Sequence, residues 1–266
     1  MKNSTRFSAE DWQDESFLSS TQLNTCRALF FRNSPQLAFF VLSLTQLNAD
    51  LKGKNPASTY LTPSELERLV SFTFAKRHVE WLGGRIAAKK AARALLDTES
   101  CPPIDYQDLS VEIHPTGRPF LHCRIETSVI LPEISISHSG NYAGALSVMG
   151  QSCGLDLQRI TSKVITVRDR FASPAELALI LSKHPALAES TALTLLWSAK
   201  EAFRKAIACQ PLVGFSEITL LGLEGDPQNG MTGHFSCPRL TPTSLPAFLL
   251  NRGEYACAIT VIGPPA

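Results

Sequence analysis

Three short stretches of this chain recur, in the same order, in its second half. Thr62-Pro63-Ser64-Glu65-Leu66 resembles Ser173-Pro174-Ala175-Glu176-Leu177. Each is a helix start, with a hydroxyl at the N-cap, proline at the first helical position and glutamate at the third. W-L-G-G-R-I-A-A-K from Trp81 matches W-S-A-K-E-A-F-R-K from Trp197 in its Trp and, eight residues on, its Lys. Tyr142-Ala-Gly-Ala-Leu-Ser-Val148 resembles Tyr255-Ala-Cys-Ala-Ile-Thr-Val261, both alternating and β-rich. The offsets are 111, 116 and 113 residues. Any one pair could match by chance, but three in register make duplication the better reading. The expected fold is α+β: two similar α+β halves, 55–149 and 150–266, packed about a pseudo-twofold axis as an intramolecular dimer. Residues 1–54 would be an N-terminal extension, with Cys26 to Leu51 adding helix or strand over one half. A cleft between such halves is a natural ligand site.

At 266 residues the chain can bury one large core or two small ones. Its 25 basic and 24 acidic side chains exert no general pull on nucleic acid or an anionic membrane, so any anion site must be local. The N-terminus lacks the apolar run of a signal peptide, and LAFFVLSL at 37–44 is too short to span a bilayer. Seven scattered cysteines, never spaced C-x-x-C, argue against a disulfide framework or zinc and for a reducing cytoplasm.

In the predicted helix Phe74 to Leu96, Arg77, Arg85, Lys89 and Arg93 fall near one line. Taken alone they make a solvated basic face; beside a cleft they make a phosphate-binding edge, since arginine presents a planar fork of donors. RNA is disfavoured by the near-zero net charge and the lack of an aromatic platform. In the predicted helix around WSAKEAFRKA, Leu196, Ala199, Phe203, Ala206 and Ile207 form an apolar stripe, while Trp197, Glu201, Arg204 and Lys205 form another. Glu201 and Lys205 could be a surface pair worth a few tenths of a kcal/mol, roughly, or parts of a site. Aligning the two tryptophans sets Arg85 opposite Glu201, so that one half brings cations and the other a carboxylate.

Gly150-Gln151-Ser152-Cys153-Gly154 literally matches G-x-S-x-G, but a nucleophile elbow needs a strand, a sharp turn and a helix, and GLDLQ reads as another strand. Ile134-Ser135-Ile136-Ser137-His138-Ser139-Gly140 is an alternating strand with a polar tip whose hydroxyl and imidazole could donate to phosphate. Thr116-Gly117-Arg118-Pro119 signals a turn, from which the arginine could reach a nucleotide. Asp156 sits in the apolar CGLDLQRI, where a carboxylate needs a partner or a metal. Alternation puts Gln158 on its side, and with Glu201 these oxygens would suit Mg²⁺; the alternative is an Asp156 ion pair with Lys or Arg.

GRPF at 117–120, SISHSG at 135–140, GLDLQ at 154–158 and WSAKEAFRKA at 197–206 together resemble the Sfp-type 4′-phosphopantetheinyl transferases, a family of pseudo-dimers. KRHVEWLGGRIAAKKA looks most like the branch with the enterobactin-synthesis enzyme. The resemblance implies transfer of phosphopantetheine from coenzyme A, a co-substrate, to a serine of an apo acyl, peptidyl or aryl carrier protein, releasing adenosine 3′,5′-bisphosphate. It implies that Arg77, Arg85, Arg118 and His138 hold the nucleotide phosphates with Ser137 alongside. Asp156 and Glu201, with Gln158, would bind Mg²⁺, for which Mn²⁺ could substitute. Lys200 and Lys205 would lie near the phosphates, Lys205 offsetting charge, and Glu201 would be the base. Many members carry Glu at the position of Gln158; an amide offers an oxygen but no charge. The attacking serine belongs to the partner, which accounts for the absence of a nucleophile motif here. A monomer is expected, because duplication already supplies the paired cleft. The rival is a coenzyme A-binding module without transfer.

Overall fold

A computed structural model describes residue 14 and residues 17–31, 36–51, 57–96, 104–125, 129–207, 211–240 and 244–263. Residues 1–13, read above for an export signal, lie outside them, as do parts of the expected extension and Cys101 and Cys209. The chain runs through α1 (Ser20–Phe30), β1 (Leu37–Ser43), α2 (Leu44–Asp50), α3 (Ala57–Tyr60), α4 (Pro63–Val70), α5 (Ala75–Leu96), β2 (Leu109–Ile113), β3 (Pro119–Cys123), β4 (Glu133–Ser139) and β5 (Tyr142–Val148). It continues with β6 (Ser152–Arg159), α6 (Lys163–Thr166), α7 (Pro174–Lys183), α8 (Glu189–Ile207), β7 (Thr219–Asp226), β8 (Gly230–Ser236), β9 (Leu245–Arg252) and β10 (Tyr255–Ile262).

The paired helix starts are real capping boxes. Thr62 caps α4 and Ser173 caps α7, each hydroxyl accepting from the amide of a glutamate whose carboxylate accepts in return from the cap amide. The sheets repeat as well. β1, β5 and β4 form one antiparallel sheet in the order β1-β5-β4, and β6, β10 and β9 pair in the same order within a sheet that β8 and β7 extend. β2 and β3 stand apart as a two-stranded ribbon. The hairpins β4–β5 and β9–β10 both turn on a glycine in the left-handed region, Gly140 at φ 57° and Gly253 at φ 56°. The strand β1, expected outside the repeat, is paired with β5 from Leu37↔Val148 to Ser43↔Tyr142, just as β6 pairs with β10. It therefore occupies in the first sheet the place of β6 in the second.

α5 packs on β1, β5 and β4, and α8 on β6 and β10, giving each half its own core. A third core lies between the sheets, where Leu37, Val41, Leu146 and Val148 meet Leu155, Leu157, Phe248 and Ile259, with Cys26 of α1 beside them. Covered on both faces, strands such as TyrAlaCysAlaIleThrValIle at 255–262 are buried throughout instead of alternating with solvent.

The helix register expected from the tryptophans is corrected by the buried lysines. Lys89 donates to the Glu65 carboxylate and to the Tyr60 carbonyl, and Lys200 donates to Glu176 at 2.8 Å and to the Phe171 carbonyl at 2.7 Å. Lysine, glutamate and carbonyl are all displaced by 111 residues, the spacing of the capping boxes. Lys89 thus corresponds to Lys200, not Lys205, and Glu201 stands opposite Lys90, not Arg85. The two tryptophans are not equivalent: Trp81 packs against Phe72, whereas Trp197 packs against Phe171 and Phe215.

Candidate active site

The two sheets meet where the edge strands β4 and β6 run side by side, and the acidic and basic candidates gather at that junction. Asp156 is 6% exposed on β6, although both flanking leucines are committed to the inter-sheet core. One carboxylate oxygen, Oδ1, accepts from Lys205 Nζ at 2.8 Å and from Ser137 Oγ at 3.1 Å. Lys205 also donates to the Leu155 carbonyl at 2.8 Å. The other oxygen, Oδ2, is buried without a partner. Gly154 permits this approach of α8 to β6: a Cβ there would lie 1.8 Å from the Ala202 carbonyl oxygen.

Beside this carboxylate, a cavity of about 310 Å³ is lined by Glu201, Arg204 and Lys205 of α8, by Ile134 and Ile136 of β4, and by the turn bearing Arg118. Glu201 Oε1 accepts from Arg204 at 2.8 Å. Arg204 is itself pinned, its Nε donating to the Val213 carbonyl at 3.0 Å and its guanidinium lying 4.5 Å from the Phe215 ring centre. Arg118 crosses the junction to donate to Ser152 Oγ at 3.2 Å and pairs with Glu133 at 2.8 Å, while its Nε remains buried and unbonded.

A second cavity, of about 580 Å³, shares Pro119 and Ile136 with the first and is lined by Arg68, Arg77, Arg85 and His138. Arg85 stacks 3.9 Å above the Trp81 ring, with its Nε buried and unbonded. Burial lowers its pKa to about 10, Glu65 pulling it up and Arg68 down, so it stays charged at neutral pH. His138 Nδ1 lies 3.7 Å from Glu80. Burial depresses its imidazole below the usual range; Glu80 opposes this, while Lys205, Arg77 and Lys76 reinforce it. The groove therefore sets three arginines among Glu65, Glu80 and Glu112, with the buried Nε of Arg85 unbonded and able to donate to a phosphate oxygen.

Two expected phosphate ligands point elsewhere. Lys200 is 1% exposed and fully engaged with Glu176 and the Phe171 and Phe215 carbonyls, so it is a core cation. Ser137 is buried and bonded to Asp156 and to the Leu157 amide, which donates to it at 3.0 Å. Arg77, Arg85 and His138 share one cavity, and Arg118, Glu201 and Lys205 the other, with Asp156 tied in through Lys205. Gln158 is half-buried on β6, paired across the ladder with Ala256. Sequence reasoning missed the roles of Arg204, Trp81 and Glu80. The charged stripe containing Arg204 was visible, but nothing local showed that it would turn onto Glu201. Ser152 opens a strand with no helix after it, so G-x-S-x-G is a strand-to-strand turn and not a nucleophile elbow.

Among the described residues no group of three or more His, Cys, Asp and Glu is placed to hold a metal. A Mg²⁺ site does not require one, because the ion commonly takes one or two carboxylates and completes its shell with water and phosphate. The orphaned, buried Oδ2 of Asp156, and Glu201, which shares a cavity wall with the lysine paired to Asp156, fit that donor set.

The family model of the 4′-phosphopantetheinyl transferase superfamily matches residues 152–260, the span from β6 to β10. Among curated relatives, the holo-[acyl-carrier-protein] synthase of Staphylococcus carnosus is 32% identical over 34% of this chain and 73% of its own length. The synthase of Bacillus subtilis is 31% identical over 41% of this chain and 91% of its own length. Among solved structures, a holo-(acyl-carrier-protein) synthase of Bacillus anthracis, in complex with CoA (3′,5′-ADP), is 26% identical and covers 42% of this chain and 93% of its own, with a TM-score of 0.37.

Proposed function

The chain belongs to the 4′-phosphopantetheinyl transferase superfamily, and from that footing we propose that it moves the phosphopantetheine arm of coenzyme A onto a serine of an apo carrier protein. The observation that carries this beyond the family is the junction itself. A buried carboxylate with one unbonded oxygen, the lysine paired with it, and a second carboxylate that shares a cavity wall with that lysine lie next to an arginine-lined groove.

The carrier serine Oγ forms a new bond to the phosphorus bearing the pantetheine arm, the pyrophosphate P–O bond breaks, and adenosine 3′,5′-bisphosphate leaves. Arg77, Arg85, Arg118 and His138 hold and orient the nucleotide phosphates, which turns an encounter into a positioned attack. Glu201 takes the serine proton, directly or through water, from the wall of the smaller cavity. Lys205, ion-paired with Asp156, places a cation where negative charge accumulates during transfer. Asp156 and Glu201, with Gln158, would hold Mg²⁺ or Mn²⁺, which when bound supplies positive charge to the pyrophosphate oxygens.

Two similar units in one chain support the Sfp-type arrangement and a monomer, and KRHVEWLGGRIAAKKA supports the enterobactin-synthesis branch. Within the described residues the units are best bounded as 37–148 and 152–262, since β1 belongs to the first sheet. Among the described residues the cysteines are all free, and no helix is long and apolar enough to cross a membrane. The test is the mass gain of an apo carrier with coenzyme A and Mg²⁺. Asp156→Ala and Glu201→Ala should each lower the rate by roughly 100-fold or more, and Gln158→Ala by roughly tenfold or less. Equal loss in all three would overturn this division of labour. Tight coenzyme A binding with no mass gain by any carrier would favour a binding module.

A further inference from the structure

β4 and β6 are edge strands of different sheets, and they are joined by serine side chains. The hydroxyls of Ser135, Ser137 and Ser139, on alternate residues of β4, accept from the amides of Leu155, Leu157 and Arg159, at 2.9, 3.0 and 2.9 Å. Each contact spans 20 residues, so the strands run parallel with a side-chain oxygen standing in for the carbonyl of a normal ladder. Ser137 does something its two neighbours do not. Held by the Leu157 amide, its hydroxyl proton turns to Asp156 Oδ1, the oxygen that also accepts from Lys205.

We propose that Ser137 is a positioning residue for the cation site: by saturating Oδ1 of Asp156 together with Lys205, it fixes the carboxylate plane and leaves Oδ2 as the oxygen that faces the metal. Ser137 lies in the first half and Asp156 in the second, so the hydroxyl also sets the reach of the cation site relative to His138, the next residue on β4. A hydroxyl suits this position better than a second cation, because it steers Oδ1 without neutralising the carboxylate further. The inference rests on Asp156 being a metal ligand.

The test is Mn²⁺ titration of the full chain with saturating coenzyme A, read by the electron paramagnetic resonance signal of free Mn²⁺, with thermal melting alongside. Ser137→Ala should weaken Mn²⁺ binding about 10-fold or more, the usual consequence of losing a group that orients a metal ligand. Ser137→Thr, which keeps the hydroxyl, should restore most of it. Ser139→Ala removes a neighbouring amide contact but none to a carboxylate, so it should leave Mn²⁺ affinity unchanged even if the melting temperature falls. Wild-type affinity in a folded Ser137→Ala, or an equal loss in Ser139→Ala, would overturn the inference while leaving Asp156 as a ligand. Absence of Mn²⁺ binding by the wild type would overturn the cation site and this inference with it.

Discussion

Lys200 separates the structure most sharply from its motif. As a phosphate ligand, its replacement would weaken coenzyme A binding and leave the fold intact. In the structure its ammonium is 1% exposed, 2.8 Å from Glu176, and bonded to the carbonyls of Phe171 and Phe215. Glu176 is saturated too, accepting from the Leu220 and Ser173 amides and the Ser173 hydroxyl. Burial alone would raise its carboxyl, but the hydrogen bonds from Lys200, Leu220 and Ser173 hold it below the usual range; burial lowers Lys200 against the pull of Glu176. Lys200→Met keeps the stem and deletes the charge, leaving a buried carboxylate and two carbonyls short of a donor. Breaking a buried pair from one side costs about 3–5 kcal/mol. At about 2–4 °C per kcal/mol, the melting temperature should drop by roughly 6–20 °C. Adding Glu176→Gln removes the stranded charge but keeps one acceptor oxygen where Oε1 served Leu220 and Oε2 the Ser173 cap, so it should recover only part of that loss. Circular dichroism melts of the single and double variants, with coenzyme A KM from carrier mass shift, make the measurement. An unchanged melting temperature with a tenfold rise in KM would refute the reasoning. The stability that the lowered Glu176 carboxyl contributes is present above its unfolded pKa of about 4.3 and is lost as pH falls through the lower folded value.

Gly154→Ala would drive a methyl into the Ala202 carbonyl, so α8 must lift from β6; we expect a loss of about 3 kcal/mol or more by denaturant unfolding, together with loss of transfer. Ser152→Ala should leave transfer within a fewfold of wild type by the carrier mass assay, since its hydroxyl accepts from Arg118 and lies in no nucleophile elbow; a dead enzyme would revive the nucleophile reading of G-x-S-x-G. His138 is held below its usual range mainly by burial, so it is neutral in the free protein at pH 7. A bound phosphate would raise it, and coenzyme A binding at that pH should take up protons, seen as a binding enthalpy that varies with buffer ionisation heat and is abolished in His138→Gln.

The sequence alone was enough for the duplication, both capping boxes, the apolar strands and the order of motifs, because each depends on neighbours within one helix turn or one strand. The three-dimensional arrangement decided what those residues face. Whether a helical lysine points inward depends on a carboxylate 24 residues away, and Lys89 and Lys200 each find one there, in Glu65 and Glu176. The common offset of 111 residues was available in the sequence, but two conspicuous tryptophans suggested another register. β1 looked like an appendage because its partner β5 follows about a hundred residues later, and no local pattern encodes that ladder. Ser137 and His138 are adjacent, yet strand alternation sends one into the seam against Asp156 and the other to the groove. Motif spacing names the residues at such a site; only the meeting of two sheet edges assigns one hydroxyl to a carboxylate and its neighbour to the groove.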